Sequence, residues 1–340
     1  MLAGSVVVGA GSWGTTVASL VARNSPTVLW ARSAELADTI ARQRENPTYL
    51  PGIRLPDELG VTASLREAVA TADLLFMAVP SHGFRAVLEE LAPSLAPGVS
   101  VVSLAKGIEA GTDLRMSQIV AEVLPGHPAG ALSGPNLARE VAEGYPAACL
   151  VALPDEVLAQ DVQRRLHGAT FRAYSGTDVV GCEIAGATKN VMAIASGIAD
   201  GLGFGENTRA VLVTRGLAEL GRLGIALGGH TLTFGGLAGV GDLVATCTSP
   251  RSRNRSVGLE LGRGRSLDEV LSGMHMVAEG VRTAGPVVEL ARRMGVEMPI
   301  AEQVAAIVAG TTSPRDALAA LMERPARAEW EPGMLRGLHR

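Results

Sequence analysis

The chain has 340 residues, of which 47% are hydrophobic and 19% charged, so it is long enough for two domains with sizeable cores. Its formal net charge of −4 provides no basic excess, which argues against a nucleic-acid partner or an anionic membrane surface. The three cysteines, Cys149, Cys182 and Cys247, form no CxxC pair and indicate reduced thiols in the cytoplasm.

The apolar amino-terminal stretch does not have the pattern of a signal peptide. No positive charge precedes it, and glycines interrupt it. Later in the chain, no apolar stretch of about 18 residues is free of charges and helix breakers, so the sequence predicts no membrane span.

Short apolar runs alternate with helical segments through the first half of the chain. The predicted strands are Ser5–Val8, Thr27–Ala31, Ala72–Val79, Ser100–Ala105, Ala129–Ser133 and Ala147–Leu153, and the first predicted helix is Gly14–Arg23. This alternation is typical of a doubly wound, mostly parallel α/β sheet of the Rossmann type.

A glycine-rich turn, Gly9-Ala10-Gly11-Ser12-Trp13-Gly14, follows the first predicted strand and opens the first predicted helix. The glycines allow a tight turn and a close approach of backbone to a pyrophosphate, and the helix N-terminus adds free N–H groups. In this context the motif predicts a bound dinucleotide, NAD(H) or NADP(H).

The end of the second predicted strand bears on the choice between these two cofactors. It reads Trp30-Ala31-Arg32-Ser33, with no acidic residue before Glu35 to hold the ribose hydroxyls that NAD presents. Arg32 is placed to hold a 2′-phosphate, so we expect NADP(H) to be accepted. The alternative is that Arg32 is only a solvated surface arginine.

The pattern changes near residue 180, after which apolar residues recur at helical spacing. Helices are predicted within Glu183–Leu227 and over Leu267–Leu271, Thr283–Met294 and Pro299–Ala309, and no strand is predicted. We therefore expect a dinucleotide-binding domain over 1–180 and an all-helical substrate-binding and catalytic domain over 181–340.

Lysine is scarce in this chain. Of 30 basic residues only Lys106 and Lys189 are lysines. Arginine stays protonated in proteins whereas a buried ammonium can lose its proton, so both lysines are candidates for chemistry. Lys189 lies in an apolar helical stretch where Asn190 and Asp242 are expected to orient it, and Lys106 follows a predicted strand, where ligands of open α/β sheets bind. The alternatives are a structural ion pair for Lys189 and a solvated loop residue for Lys106.

Two further segments bear on the site. Pro250–Arg255 combines arginines with a hydroxyl before a helical stretch, a combination suited to a phosphate group. His82 is expected to be a loop residue near the cofactor. The six histidines show no HxxxH or HExxH spacing, so no metal is expected.

Eight segments, in this order and spacing, carry a family resemblance: GAGSWGTTVA (9–18), ENPTYLPG (45–52), AVPSH (78–82), SLAKGIE (103–109), SGPNLAREV (133–141), EIAGATKNVMAIASGIADGLGFGENTRA (183–210), GLAGVGDLVATCTSPRSRNRSVG (236–258) and VAEGVRTA (277–284). The chain resembles the bacterial NAD(P)-dependent glycerol-3-phosphate dehydrogenase family over nearly its whole length. The resemblance implies reversible interconversion of dihydroxyacetone phosphate and sn-glycerol 3-phosphate. It also implies that the glycerol 3-phosphate is used for phospholipid synthesis and that the protein is a homodimer.

The resemblance also implies roles for individual residues. Lys189 would be the catalytic proton acceptor, and Lys106 would lie between cofactor and substrate. The other implied cofactor contacts are Ser12, Trp13, Arg32, Tyr49, Ala138, Arg253, Val277 and Glu279. The other implied substrate contacts are Gly134, Asn136, Asp242, Ser252, Arg253 and Asn254.

Two positions depart from the family pattern. Ser33 stands where many relatives carry a second basic residue, and Asn136 stands where serine or threonine is common. Two other functions remain open at this point: a dehydrogenase of another small 2-hydroxy acid or sugar phosphate, and a dinucleotide-binding module without catalysis.

Overall fold

A computed structural model describes residues 4–274, 278–326 and 328–329. Its first part is an eight-stranded sheet in the order β3-β2-β1-β4-β5-β6-β7-β8. The strands are β1 (Gly4–Val8), β2 (Thr27–Trp30), β3 (Gly60–Thr62), β4 (Ala72–Met77), β5 (Ser100–Ser103), β6 (Ala129–Ser133), β7 (Ala147–Ala152) and β8 (Phe171–Gly176). Neighbouring strands are parallel except for β6 and β7, which confirms the Rossmann-like, mostly parallel sheet.

Helices cover both faces of this sheet. They are α1 (Ser12–Ala22), α2 (Ala34–Gln43), α3 (Leu65–Val69), α4 (Ser81–Leu91), α5 (Met116–Val123), α6 (Ala138–Ala142) and α7 (Glu156–Leu166). Val7 and Phe76 point into one apolar core, whereas Val6 and Leu75 point into the other. This alternation is the period of two expected for strands buried on both faces.

Two strands, β3 and β8, were not predicted from the sequence, for different reasons. β3 has only three residues, too few to show a pattern. In β8, the buried Phe171 and Ala173 alternate with exposed neighbours because this strand lies at the edge of the sheet, so it shows no continuous apolar run. The six predicted strands end within two residues of the observed ones.

The second part is helical, as predicted. It contains α8 (Val179–Gly201), α9 (Glu206–Ala226), α10 (Thr231–Phe234), α11 (Asp242–Thr248), α12 (Arg253–Gly262), α13 (Leu267–Ser272), α14 (Glu279–Arg293), α15 (Pro299–Val308) and α16 (Pro314–Met322). A π-helical turn, Leu237–Gly241, leads directly into α11. Among the described residues, no helix combines the length and the apolar character needed to cross a membrane.

The long helix α8 is the centre of this helical part, and nearly all of it is buried. Glycines let α12 pack directly on its backbone. A Cβ on Gly197 would lie 2.0 Å from the carbonyl oxygen of Arg255, and one on Gly258 would lie 2.0 Å from that of Ile194. This close packing fixes the start of α12, with Arg253 and Asn254, beside the middle of α8.

Candidate active site

The glycine turn connects β1 to α1, and its three glycines serve three purposes. Gly9 has a φ of +115°, and a Cβ there would lie 2.7 Å from the carbonyl oxygen of Ala78. A Cβ on Gly14 would lie 2.0 Å from the carbonyl oxygen of Gly9. Gly11, in contrast, faces open space and precedes a helix that no side chain caps. Free N–H groups beside open space fit the pyrophosphate of a dinucleotide.

Asn46 holds this turn against the segment that carries Tyr49. The side chain of Asn46 is buried, and its amide donates to the carbonyl oxygen of Ala10 at 2.9 Å and to the hydroxyl of Thr15 at 2.8 Å. Its Oδ1 accepts from the backbone N–H of Tyr49 at 3.1 Å. The partly buried Tyr49 is therefore fixed next to the glycine turn.

The other residues around α1 differ in exposure. The indole of Trp13 packs on Phe171 with ring centroids 6.4 Å apart. Arg32 is exposed directly after β2, whereas the hydroxyl of Ser33 caps α2 by accepting from Leu36 N–H at 3.2 Å. On the other side of α1, the backbone carbonyl of Ala138 accepts from Thr16 Oγ1 at 3.2 Å.

Both lysines of the chain meet one buried carboxylate. Lys189 Nζ donates to Asp242 Oδ1 at 2.9 Å, and Lys106 Nζ donates to Asp242 Oδ2 at 2.6 Å. Lys189 comes from α8, Asp242 from the first turn of α11 and Lys106 from the loop after β5. The two halves of the chain therefore contribute to one ionic cluster, which we call the Lys–Asp–Lys cluster.

Burial and charge act in opposite directions on this cluster. Burial lowers the pKa of Lys189 to about 8, with Asp242 opposing the shift and Lys106 adding to it. Burial alone would raise the pKa of Asp242, but the ammonium groups of Lys106 and Lys189 outweigh it and hold that pKa below its usual range. The carboxylate thus stays ionised while Lys189 can exchange a proton near neutral pH.

Two hydroxyl groups complete the contacts of the cluster. Thr246 Oγ1 accepts from Lys189 Nζ at 2.7 Å and lies 2.7 Å from the carbonyl oxygen of Asp242, one helical turn earlier. Ser133 Oγ donates to Asp242 Oδ2 at 3.3 Å. Thr246 was not identified from the sequence, although its position four residues after Asp242 places both side chains on one face of a helix.

Lys106 also donates to the carbonyl oxygen of Gly134, which follows β6, at 3.0 Å. Gly134 has a φ of +149°, and a Cβ there would lie 2.9 Å from Cys149 Cα, so the chain needs glycine at this turn. The amide of Asn136, oriented to suit its neighbours, donates to the carbonyl oxygen of Ala148 at 3.1 Å. Gly134 and Asn136 therefore lie beside the Lys–Asp–Lys cluster on the carboxyl end of the sheet.

A chain of amides links Lys106 to three helices. Asn190 Nδ2 donates to the carbonyl oxygen of Lys106 at 2.8 Å, and Asn254 Nδ2 donates to Asn190 Oδ1 at 2.8 Å. Asn254 Oδ1 in turn accepts from the backbone N–H of Gly280 at 2.9 Å. Asn190 was expected to orient Lys189, but its amide instead holds the backbone of Lys106.

The residues expected to hold a phosphate lie at the start of α12. Ser252 is buried and caps this helix, its hydroxyl accepting from Arg255 N–H at 3.3 Å. Arg253 occupies the first helical position, and its side chain is exposed. An arginine at the N-terminus of a helix is suited to phosphate recognition.

Two further residues singled out from the sequence, Glu279 and His82, lie at the N-terminus of α4. Glu279, at the start of α14, accepts from the backbone N–H of Ser81 at 3.2 Å and from its hydroxyl at 2.7 Å. The expectation that His82 lies in a loop was wrong, because this exposed residue lies in the first turn of α4. Val277, another expected cofactor contact, lies outside the described residues.

Comparison with known proteins gives a consistent match over nearly the whole chain. Residues 5–159 match the family model "NAD-dependent glycerol-3-phosphate dehydrogenase N-terminus", and residues 178–319 match the corresponding C-terminus model. A glycerol-3-phosphate dehydrogenase [NAD(P)+] of Sphingopyxis alaskensis is 52% identical over 96% of this chain and 98% of its own. One from Mycobacterium avium is 56% identical over 89% of both chains.

Solved structures show the same similarity. The crystal structure of glycerol-3-phosphate dehydrogenase from Coxiella burnetii has a TM-score of 0.90 and 37% identity, covering 94% of this chain and 98% of its own. A ketopantoate reductase from Ralstonia eutropha, with a TM-score of 0.55 and 18% identity over 92% of this chain and 99% of its own, shares the fold alone.

Proposed function

The chain belongs to the NAD-dependent glycerol-3-phosphate dehydrogenase family, and from that premise we propose that it interconverts sn-glycerol 3-phosphate and dihydroxyacetone phosphate with NAD(H) or NADP(H). The observation that carries this proposal is the Lys–Asp–Lys cluster. It places Lys189, with its pKa lowered to about 8, at the junction of a dinucleotide-binding fold and a helical part. We also propose that 1–180 and 181–340 act as the dinucleotide-binding and catalytic domains.

The cofactor would be held mainly by the turn between β1 and α1. Gly9, Gly11 and Gly14 shape this turn, and Gly11 faces open space in front of the uncapped N-terminus of α1. Arg32 would contact a 2′-phosphate. Further cofactor contacts are assigned to Ser12, Trp13, Tyr49, Lys106, Ala138, Arg253, Val277 and Glu279. When bound, the nicotinamide ring supplies or accepts the hydride.

Lys189 handles the proton of the reaction. In ketone reduction, its ammonium donates a proton to the oxygen that gains negative charge as hydride reaches the carbonyl carbon. In alcohol oxidation, its neutral amine accepts the hydroxyl proton as hydride leaves the same carbon. A pKa near the working pH lets one group serve both directions.

The neighbours of Lys189 orient it and hold the substrate. Asp242 and Thr246 accept hydrogen bonds from its Nζ and fix its position. Lys106, 2.6 Å from the same carboxylate, lowers the pKa of Lys189 and lies where its charge would stabilise the oxyanion. Arg253 and the first turn of α12 would bind the phosphate. Further substrate contacts are assigned to Gly134, Asn136, Ser252 and Asn254.

A substrate comparison tests this proposal. Wild-type protein should oxidise NADPH or NADH in the presence of dihydroxyacetone phosphate, and unphosphorylated dihydroxyacetone at the same concentration should support much slower turnover. Faster turnover of another small 2-keto acid or sugar phosphate would identify a different substrate. Cofactor binding without turnover of any substrate in such a panel would identify a binding module instead.

The proposed cellular role is the supply of glycerol 3-phosphate for phospholipid synthesis in the cytoplasm, by a homodimer. These points rest on the family membership, and the cytoplasmic location also rests on the three free, buried cysteines. Sedimentation of the purified protein would test the homodimer directly.

A further inference from the structure

We propose that Glu183 is a positioning residue that holds the Lys106 loop, residues 104–115, against α8 and so fixes Lys106 relative to Lys189. This inference rests on the proposed function, because it assigns a role within the same reaction. It depends on a buried contact between the two halves of the chain, separate from the Lys–Asp–Lys cluster.

Glu183 lies in the first half of α8, and its side chain is 5% exposed. Its carboxylate accepts three hydrogen bonds from the start of α5. The backbone N–H of Ser117 donates at 2.7 Å, the hydroxyl of Ser117 at 2.6 Å, and the guanidinium of Arg115 at 2.5 Å. A carboxylate buried to this extent is stable only when its charge and lone pairs are satisfied, as they are here.

The contact of Ser117 N–H with Glu183 is a helix cap supplied by another element. Ser117 is the second residue of α5, so its backbone N–H has no partner within the helix. The carboxylate from α8 satisfies it and also places negative charge at the positive end of α5. The position of α5 therefore depends on α8.

The Lys106 loop joins β5 to α5, and α8 holds it at both ends. Near its start, Asn190 Nδ2 donates to the carbonyl oxygen of Lys106 at 2.8 Å. At its end, Glu183 holds Arg115 and Ser117. Glu183 and Asn190 are seven residues apart, which places them on one face of α8 about 10 Å apart along its axis.

The space between these two contacts is occupied by the loop itself. Gly186 lies on the same face of α8, and a Cβ there would be 3.0 Å from Ser133 Oγ and 3.4 Å from Lys106 Cγ. The stem of Lys106 therefore packs directly on the α8 backbone. Loss of the contact at Glu183 would free one end of this loop, and Lys106 would move relative to Lys189 and Asp242.

The test compares Glu183→Gln with Glu219→Gln. Glu219 is a matched control because it is also a buried carboxylate that caps a helix in trans. It accepts from the backbone N–H groups of Ile300 and Ala301 at the start of α15, at 2.8 and 3.2 Å. This contact lies entirely within the helical part and touches neither lysine.

The expected result is a loss of turnover in one variant only. At saturating dihydroxyacetone phosphate, the single-turnover rate of NADPH oxidation should fall about tenfold or more in Glu183→Gln, because small displacements of catalytic groups are costly. The KM for NADPH should change far less than the rate, by about threefold at most, because Lys106 is only one of the proposed cofactor contacts and the glycine turn is untouched. Glu219→Gln should keep the wild-type rate even if the substitution lowers the melting temperature.

Three outcomes would overturn the proposal: an unchanged rate in Glu183→Gln, equal losses of rate in both variants, or a loss confined to the KM for NADPH. If Glu183→Gln does not fold, Ser117→Ala carries the test, because it removes one hydroxyl at the outer end of the contact. A wild-type rate in that variant would then contradict the proposal. Failure of the wild-type protein to reduce dihydroxyacetone phosphate would instead overturn the proposed function.

Discussion

Replacing Asp242 by asparagine tests the electrostatic account of the Lys–Asp–Lys cluster. The substitution keeps the shape of the side chain but removes the only negative charge in contact with Lys189 among the described residues. Lys189 would keep its burial and its cationic neighbour Lys106, both of which lower its pKa. We therefore expect the pKa of Lys189 to fall further.

The size of this fall follows from the geometry. Two unit charges about 3 Å apart attract by about 5 kcal/mol at an effective dielectric constant of about 20. Each pKa unit corresponds to about 1.4 kcal/mol, so this attraction sets an upper limit near four units. Water entering beside the neutral amide offsets part of it. We expect a fall of about two units, from about 8 in the wild type to about 6 in Asp242→Asn.

The assay is the pH dependence of kcat/KM for reduction of dihydroxyacetone phosphate, which requires protonated Lys189. With a pKa near 6 the protonated fraction at pH 7.5 falls about 25-fold, so the rate should fall at least as much and recover in part towards pH 6. The control is Asp73→Asn, which removes a carboxylate at the amino end of β4, opposite the site. The reasoning would be refuted if the apparent pKa of the alkaline limb in Asp242→Asn were equal to or higher than that of the wild type.

Three further predictions concern single residues. Arg253→Ala should raise the KM for dihydroxyacetone phosphate about ten- to hundredfold, because a hydrogen bond to a charged group usually contributes that much to binding. An unchanged KM would show that Arg253 does not bind the phosphate. Arg32→Ala should lower kcat/KM for NADPH more than for NADH, whereas a strong NADH preference that the substitution leaves unchanged would contradict the assignment. Burial raises the pKa of Glu219 to about 7, so the folded protein binds more protons than the unfolded chain between about pH 4.5 and 7. In denaturant titrations, the free energy of unfolding should therefore fall as pH rises through this window. Glu219→Gln should flatten this dependence on pH. An equal slope in both proteins would contradict the raised pKa of Glu219.

The sequence was informative where function depends on local pattern or on residue type. The glycine turn follows β1 directly, so strand, turn and helix are all visible within about 20 residues. The scarcity of lysine identified both Lys106 and Lys189 without any knowledge of the fold. The contact between Lys189 and Asp242, at 2.9 Å, was expected from the sequence. The contact of Lys106 with the same carboxylate, at 2.6 Å, was not.

The contacts missed from the sequence join residues far apart in the chain. Ser81 lies 198 residues from Glu279, and Ser117 lies 66 residues from Glu183. No periodicity links such positions, because tertiary packing brings them together: α8 packs against the sheet, and α14 packs on α8. Thr246 is a different case, since its spacing from Asp242 would have revealed it once α11 was known to be helical.

Lys189→Met tests the central claim most directly, because methionine retains much of the volume of lysine but carries no proton. NADPH and dihydroxyacetone phosphate should be mixed with each protein, and the single-turnover rates should be compared after a binding titration has shown that each protein binds NADPH equally well. Proton transfer by a positioned side chain contributes about 100- to 10,000-fold to a rate, so a loss of that size is expected. Equal rates in Lys189→Met and wild type would contradict the assignment of Lys189 as the proton donor and acceptor.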